Sequence, residues 1–201
     1  MHTKSAQKLF SHLKPGVVYR REDLLPYSTA VDRDLTTLTK QGVLQKVSPG
    51  VYCVPKKSRF GVLPPDPTSL VKAFLKDSQF LLFSPDAYNT LGLGLTQTYN
   101  KMIVYNRKRH GVFVLANQEF DFRRPSYGFS KKLTPEFLLV DLLNHVNELV
   151  DEDGEKLFDK VKYLSRSLLE KALACAKHYG KVKTKKILRG ALNESISARA
   201  A

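Results

Sequence analysis

The first sixty residues are cut into short pieces by four breakers, Pro15-Gly16, Pro26, Gly42 and Pro49-Gly50. No uninterrupted piece is long enough for an extended helix or a large sheet. What remains is a small unit of short helices closed by a hairpin. Within the pieces, apolar spacing assigns the type of element. Ala6, Leu9, Phe10 and Leu13 recur at helical spacing over residues 5–13, and Pro15-Gly16 ends that helix. Val17-Val18-Tyr19 is a β-prone run, and residues 21–25 form a brief helix halted by Pro26. Thr29, three residues ahead of Asp32, resembles a capping box. Val31, Leu35 and Leu38 then follow at i, i+4 and i+7, with Gly42 as the stop. Residues 43–47 and 51–54 flank Ser48-Pro49-Gly50 and read as two strands joined by a tight turn.

Helix, short strand, helix, turn, helix and hairpin is the order of a winged helix-turn-helix. The fold class expected is therefore α+β. Residues 1–60 would be a winged helix-turn-helix DNA-binding domain, and residues 61–201 a mixed α+β domain ending in long helices and a basic tail. With Val31, Leu35 and Leu38 turned inward, the third helix offers Thr29, Asp32, Arg33, Thr36, Thr37 and Lys40 to solvent. Hydroxyls and long cations suit phosphate oxygens and base edges in a major groove. Lys46 and Ser48 are expected on the wing, Arg20 and Arg21 at the start of the second helix, and Ser28 in the turn before the third. The expected DNA contacts are thus Arg20, Arg21, Ser28, Thr29, Arg33, Thr36, Thr37, Lys40, Lys46 and Ser48, with Lys56, Lys57 and Arg59 just beyond. Asp32 and Asp34 dilute this face, as they would in a domain that makes protein contacts only.

Charge points the same way. The formal net charge is +14, and it is concentrated at the two ends. Residues 1–60 carry eleven Lys and Arg against four Asp and Glu, and the last 25 residues carry seven against one. The middle, with fifteen against fourteen, is nearly neutral. Clustered cations gain free energy by releasing counterions condensed on a polyanion, so nucleic acid is the expected partner.

Residues 55–67 hold four prolines and read as an extended linker. Beyond it, residues 69–76 read as a short helix, residues 80–83 as a short apolar run, and Ser84-Pro85-Asp86 as the start of a helix reaching Gly92. Residues 102–105, 111–115 and 119–123 are β-prone and suggest a small antiparallel sheet. Thr134-Pro135-Glu136 is a strong helix start, with a capping hydroxyl ahead of proline at the first helical position. An acidic break at residues 151–153 precedes one long amphipathic helix over residues 155–179, ended by Gly180, with room for a further helix in the tail.

Signals for catalysis are sparse. The five histidines (2, 12, 110, 145 and 178) share no metal-ligand spacing with each other or with Cys53 and Cys175, so no metal and no cofactor is expected. His145 reads as packing on an apolar helix. Gly92-Leu93-Gly94 lacks the third glycine of a dinucleotide loop. One enzymatic alternative is a Mg-dependent nuclease, with Asp86, Glu119 and Asp121 as carboxylates and Arg123 as the cation near a scissile phosphate. A second alternative is an RNA-binding module using Lys181, Lys183, Lys185, Lys186 and Arg189, which could equally be a solvated helix face or a partner contact. The absence of an apolar signal core or membrane-length segment, with two unpaired cysteines, predicts a cytoplasmic protein.

Two stretches together carry a family resemblance. Leu35-Thr36-Thr37-Leu38-Thr39-Lys40-Gln41-Gly42-Val43-Leu44-Gln45-Lys46-Val47-Ser48-Pro49-Gly50-Val51-Tyr52 resembles the winged-helix stretch of AbiEi-type antitoxins of type IV (abortive infection) toxin–antitoxin systems. Ser84-Pro85-Asp86-Ala87-Tyr88-Asn89-Thr90-Leu91-Gly92-Leu93, then Thr96-Gln97, Ile103-Val104-Tyr105-Asn106 and Phe120-Asp121-Phe122-Arg123-Arg124, is similar to a later segment of the same family. The similarity spans roughly residues 5 to 145. It implies a bacterial, non-enzymatic transcriptional regulator. Its N-terminal domain would bind inverted repeats in double-stranded operator DNA and repress its own operon, with Thr29, Arg33, Thr36, Thr37 and Lys40 facing the DNA. Its C-terminal domain would counter a nucleotidyltransferase-type toxin.

Overall fold

A computed structural model describes residues 4–95, 98–148 and 154–200 of the chain. Thr96-Gln97 and the acidic break at residues 151–153 lie outside the described residues. The chain divides into two compact units, Met1–Ser78 with Val112–Phe120, and Gln79–Gly111 with Asp121–Ala201. The first division thus falls after Ser78, not after residue 60. The reason is the helix α4 (Pro67–Leu75), which packs on the strand β1 (Val18–Arg20) of its own unit.

The first unit begins with α1 (Lys4–His12) and β1, continues through α2 (Arg21–Leu24), a 3-10 turn (Leu25–Tyr27) and α3 (Val31–Lys40), and reaches the hairpin of β2 (Gln45–Ser48) and β3 (Val51–Cys53). The strands form one antiparallel sheet in the order β1-β3-β2, with Tyr19 opposite Tyr52 and Lys46 opposite Tyr52 on the other edge. The four breakers act as expected at the hairpin and at α3. Gly42 and Gly50 both take φ +72°, a left-handed value that glycine tolerates without strain. Pro26 does not end a helix outright but sits early in the 3-10 turn, where its missing N–H is not needed. Leu9, Leu24, Val31, Leu35, Leu38 and Leu44 form the core.

The cap of α3 differs from the sequence expectation. Ala30, not Thr29, is its N-cap, and Ala30 supplies no side-chain bond. Ser28 Oγ instead accepts from the Ala30 N–H at 3.0 Å and donates to the Asp34 carboxylate at 2.7 Å. Asp34 is therefore turned inward, 1% exposed, rather than lying on the helix's outer face.

The proline-rich segment is not an extended linker. It folds into a second hairpin, β4 (Lys56–Ser58) and β5 (Gly61–Leu63), before Asp66 caps α4 by accepting from the Ser69 N–H at 2.8 Å. The prolines flank the hairpin at positions 55, 64 and 65, where no ladder donor is required.

The second unit is mixed α+β with a helical C-terminal region. β6 (Leu81–Phe83) pairs antiparallel with β7 (Lys101–Tyr105). The remaining strands are β8 (Gly111–Leu115) and β9 (Gln118–Arg123), of which Val112–Phe120 belongs to the first unit. Residues 85–91 form a 3-10 helix, capped by Ser84 and ended by Gly92 at φ +71°. α5 (Pro135–His145) starts on Thr134, whose side chain accepts from the Phe137 N–H, as the sequence predicts. The long helix expected over residues 155–179 is two helices, α6 (Gly154–Val161) and α7 (Arg166–Tyr179). Ser165 caps α7 through the Leu168 N–H, and a serine that bonds its own downstream backbone favours a helix start over a helix interior. α8 (Val182–Ala200) closes the chain. α5 is buried nearly all round, and α7 and α8 pack against it.

Candidate nucleic-acid interface

The outer face of α3 carries Asp32, Arg33, Thr36 and Lys40, all exposed, with Thr37 half-buried. Thr29 is exposed just ahead of the helix. Thr36 Oγ1 donates to the Asp32 carbonyl at 2.8 Å and Thr37 Oγ1 to the Arg33 carbonyl at 2.9 Å. Their hydroxyl protons are thus engaged within the helix, and what they present outward is acceptor lone pairs, suited to an amino group on a base edge rather than to a phosphate oxygen. Arg33 and Lys40 remain as long cations on this face.

Arg20 and Arg21, adjacent in sequence, go to different places because neighbouring residues at a strand end project to opposite sides. Arg21 is held by Asp32 of α3 in a bidentate pair with both contacts at 2.6 Å. That hydrogen-bonded pairing raises the Arg21 pKa and lowers that of Asp32. The pair borders a shallow hollow of about 320 Å³ shared with Ser28, Thr29 and Arg33. Arg20 instead forks onto Asp23, with Nη2–Oδ1 at 3.0 Å, and lines a hollow of about 440 Å³ with Ser69 and Lys72 of α4 and its C-cap residue Lys76. Lys76 in turn pairs with Glu22. Arg20 ends β1 and is the N-cap of α2, its backbone N–H donating to Asp23 at 3.1 Å, so Arg20 and Arg21 start α2 as expected, but the Arg20 guanidinium is already engaged.

On the β2–β3 hairpin, Lys46 is exposed, whereas the Ser48 hydroxyl oxygen is buried and has no hydrogen-bond partner among the described residues. Strict alternation would put both on one face. The register shifts between Lys46 and Ser48, and that irregularity breaks the alternation. Ser48 and Ser28 are therefore internal rather than outward groups: one is buried, the other bonds Asp34 and the Ala30 N–H. The outward set comprises Thr29, Arg33, Thr36, Lys40 and Lys46, with Arg21 and Thr37 at its border. Between Asp34 and Asp66 the chain holds five cations, Lys40, Lys46, Lys56, Lys57 and Arg59, and no acid.

The basic tail is divided as well. Lys181 is docked on Asn144 of α5, its backbone N–H donating to Asn144 Oδ1 and its Nζ to the Asn144 carbonyl, both at 2.8 Å. Lys183 lies over the Phe158 ring, 4.9 Å from its centroid. Lys185 is half-buried, and Lys186 and Arg189 are exposed. This is a docked helix with a mixed outer face, not five free cations.

Two of the three carboxylates of the nuclease alternative are engaged in other bonds, and Glu119 is exposed on its strand. Asp86 Oδ1 accepts from the Tyr99 N–H at 2.9 Å, and Asp121 pairs with Arg123 at 2.8 Å. Among the described residues no group of three or more His, Cys, Asp or Glu is placed to hold a metal.

The second unit contains a buried polar cluster that sequence reasoning did not assemble. Asp141 of α5, 3% exposed, accepts from Tyr88 on Oδ2 at 2.6 Å and from Tyr105 on Oδ1 at 2.5 Å, and His145 Nδ1 lies 3.2 Å from that same Oδ1. Burial pushes the Asp141 carboxyl up, but His145 and the two phenols more than offset it, and the net shift is downward. Arg123 beside them is anchored by Asp121 and Glu148, each at 2.8 Å. His145 is thus part of a polar network and not simple packing. The advance signal was an aspartate and a histidine four residues apart, on one face of a largely apolar helix.

No family model and no curated protein matches the sequence. Among solved structures, the chain is similar to the RV2827C protein from Mycobacterium tuberculosis, at 17% identity and a TM-score of 0.49, over 96% of this chain and 82% of that one.

Proposed function

We propose that this chain is a cytoplasmic DNA-binding antitoxin. Its N-terminal unit acts as a winged helix-turn-helix that represses the chain's own toxin–antitoxin operon, and its second unit counters a nucleotidyltransferase-type toxin. The observation that carries the DNA-binding part is the composition of one surface. Arg33, Thr36 and Lys40 project from α3 and Lys46 from the following hairpin, and residues 35–65 contain no acid. A helix of that kind followed by a basic hairpin suits a major groove with a phosphate strand beside it. The antitoxin part rests on the AbiEi-like sequence stretches.

Two copies would be expected on an inverted repeat, since one recognition helix reads a single half-site. In a reporter strain driven by the chain's own promoter, the wild-type protein should repress and Arg33→Ala should derepress. Co-expression should relieve growth arrest by the cognate toxin, and Arg33→Ala should retain that relief, because toxin neutralisation belongs to the other unit. Unchanged repression by Arg33→Ala would overturn the docking of α3 on DNA.

A further inference from the structure

The β4–β5 hairpin has no buried side chain, and every residue of β5 is exposed. Phe60 at its tip is 97% exposed, and Val62 and Leu63 on β5 are 60% and 41% exposed. A phenyl ring left entirely in water forgoes the burial that normally favours it, so a binding partner is the natural place for it. The tip is also structurally fixed. Ser58 Oγ donates to the Gly61 carbonyl at 3.0 Å and accepts from the Phe60 N–H at 3.2 Å. Gly61 takes φ +116°, which a side chain would strain. Phe60 is therefore presented by a tied turn.

The same hairpin carries Lys56, Lys57 and Arg59, all exposed, with Arg59 next to Phe60 in the chain. The register sets Lys56 opposite Leu63 and Lys57 opposite Val62, so cations and aliphatics alternate on both faces of the ribbon. An apolar tip between cations matches a partner with an apolar stack bordered by regularly spaced anions. Base pairs between phosphate strands have that character.

We infer that β4–β5 is a second DNA-contacting arm. Lys56, Lys57 and Arg59 follow the phosphates of a minor groove, and Phe60 wedges between two base pairs and bends the duplex there. Pyrimidine–purine steps, which unstack most easily, are the preferred sites. This rests on the reading of the chain as a duplex-DNA-binding protein, and it adds a contact and a deformation that a recognition helix alone does not supply.

The test uses the full chain and a duplex carrying the inverted repeats upstream of its own gene. 2-Aminopurine is placed at successive steps, and end-labelled dyes report bending. The chain contains no tryptophan, so Phe60→Trp introduces a single emitter that stacking on bases quenches. The expected result is a rise in 2-aminopurine emission at one step, a shortened end-to-end distance, and quenching of the Phe60→Trp emission. Phe60→Ala should abolish the first two and weaken binding about tenfold. Phe60→Leu, still an apolar wedge, should keep most of the bend. Because Phe60 contacts no core, its variants should unfold at the wild-type temperature.

Equal affinity and equal bending by wild type and Phe60→Ala would overturn the arm, while a loss of binding with Arg33→Ala in the same assay would leave the DNA-binding reading standing. Failure of the wild-type chain to bind any duplex would remove that reading and the arm together. A Phe60→Trp emission change with anionic vesicles and none with DNA would assign the hairpin to a lipid surface and overturn the proposal.

Discussion

Arg33 and Asp32 are neighbours on α3 with opposite expected effects. Arg33→Ala removes a long cation from the outward face, and if it makes a bidentate base contact the loss is about 1–3 kcal/mol of operator binding with relaxed sequence preference. Lys46→Ala should weaken all duplexes alike and lower the salt dependence by about one phosphate contact. Asp32 holds Arg21 in a bidentate pair, so DNA must compete with it for that guanidinium. Asp32→Asn should therefore strengthen duplex binding by about three- to tenfold at low salt and steepen its salt dependence. Titrations at several salt concentrations separate these three variants. Inside the unit, Ser28→Ala removes a hydrogen bond to the buried Asp34 and should cost about 1–3 kcal/mol of stability without touching the outward face.

At the level of elements, what was legible in the sequence was whatever repeats or breaks locally. Helical spacing located α1 and α3, Gly42 and Pro49-Gly50 located the stop and the hairpin, and Thr134-Pro135 located α5. Three features were not legible, each for a physical reason. The β4–β5 hairpin is flanked by prolines, which usually mark irregular chain, and its exposed strands lack alternation. The break between α6 and α7 keeps Val161, Leu164 and Leu168 in helical phase, so only the Ser165 cap betrays it. Helical spacing puts Asp34 on the same face as Val31, Leu35 and Leu38, but the partner that satisfies it there, Ser28, is six residues away and no periodicity encodes that.

The same scale governs the docking of α8. Asn144 Nδ2 donates to the Tyr179 carbonyl, and Oδ1 accepts from the Lys181 N–H and the Thr184 hydroxyl, each at 2.8 Å. One side chain thus fastens α5 to the ends of α7 and α8. Asn144→Ala should lower unfolding stability by about 1–3 kcal/mol and loosen α8 first, as read by amide exchange. Gly180, where the chain passes close to α7, should not tolerate a methyl group. An added Cβ would lie 2.7 Å from the Ala176 Cβ and 2.8 Å from its carbonyl oxygen. Gly180→Ala should therefore cost about 1–3 kcal/mol by steric displacement alone.

For the molecule as a whole, the two units should respond differently to acid. Asp141 has a depressed pKa in the folded chain, so its stabilising contribution is complete above the ordinary carboxylate range and is lost as pH falls through its folded value. Thermal unfolding should thus show the second unit weakening below about pH 4. Asp141→Asn should flatten that dependence and lower stability near neutrality by about 1–3 kcal/mol, since the tyrosine hydroxyls lose a charged acceptor. The charge of the molecule bears on function rather than on fold. A formal net charge of +14 will hold any polyanion at low salt, and only selectivity that survives salt identifies a sequence-reading surface. The deciding measurement is a titration of the full chain against its upstream inverted repeats, a scrambled duplex and single-stranded RNA, at two salt concentrations. The account predicts a preference for the upstream duplex that persists at the higher salt and disappears in Arg33→Ala. Equal binding to all three, collapsing together as salt rises, would contradict it.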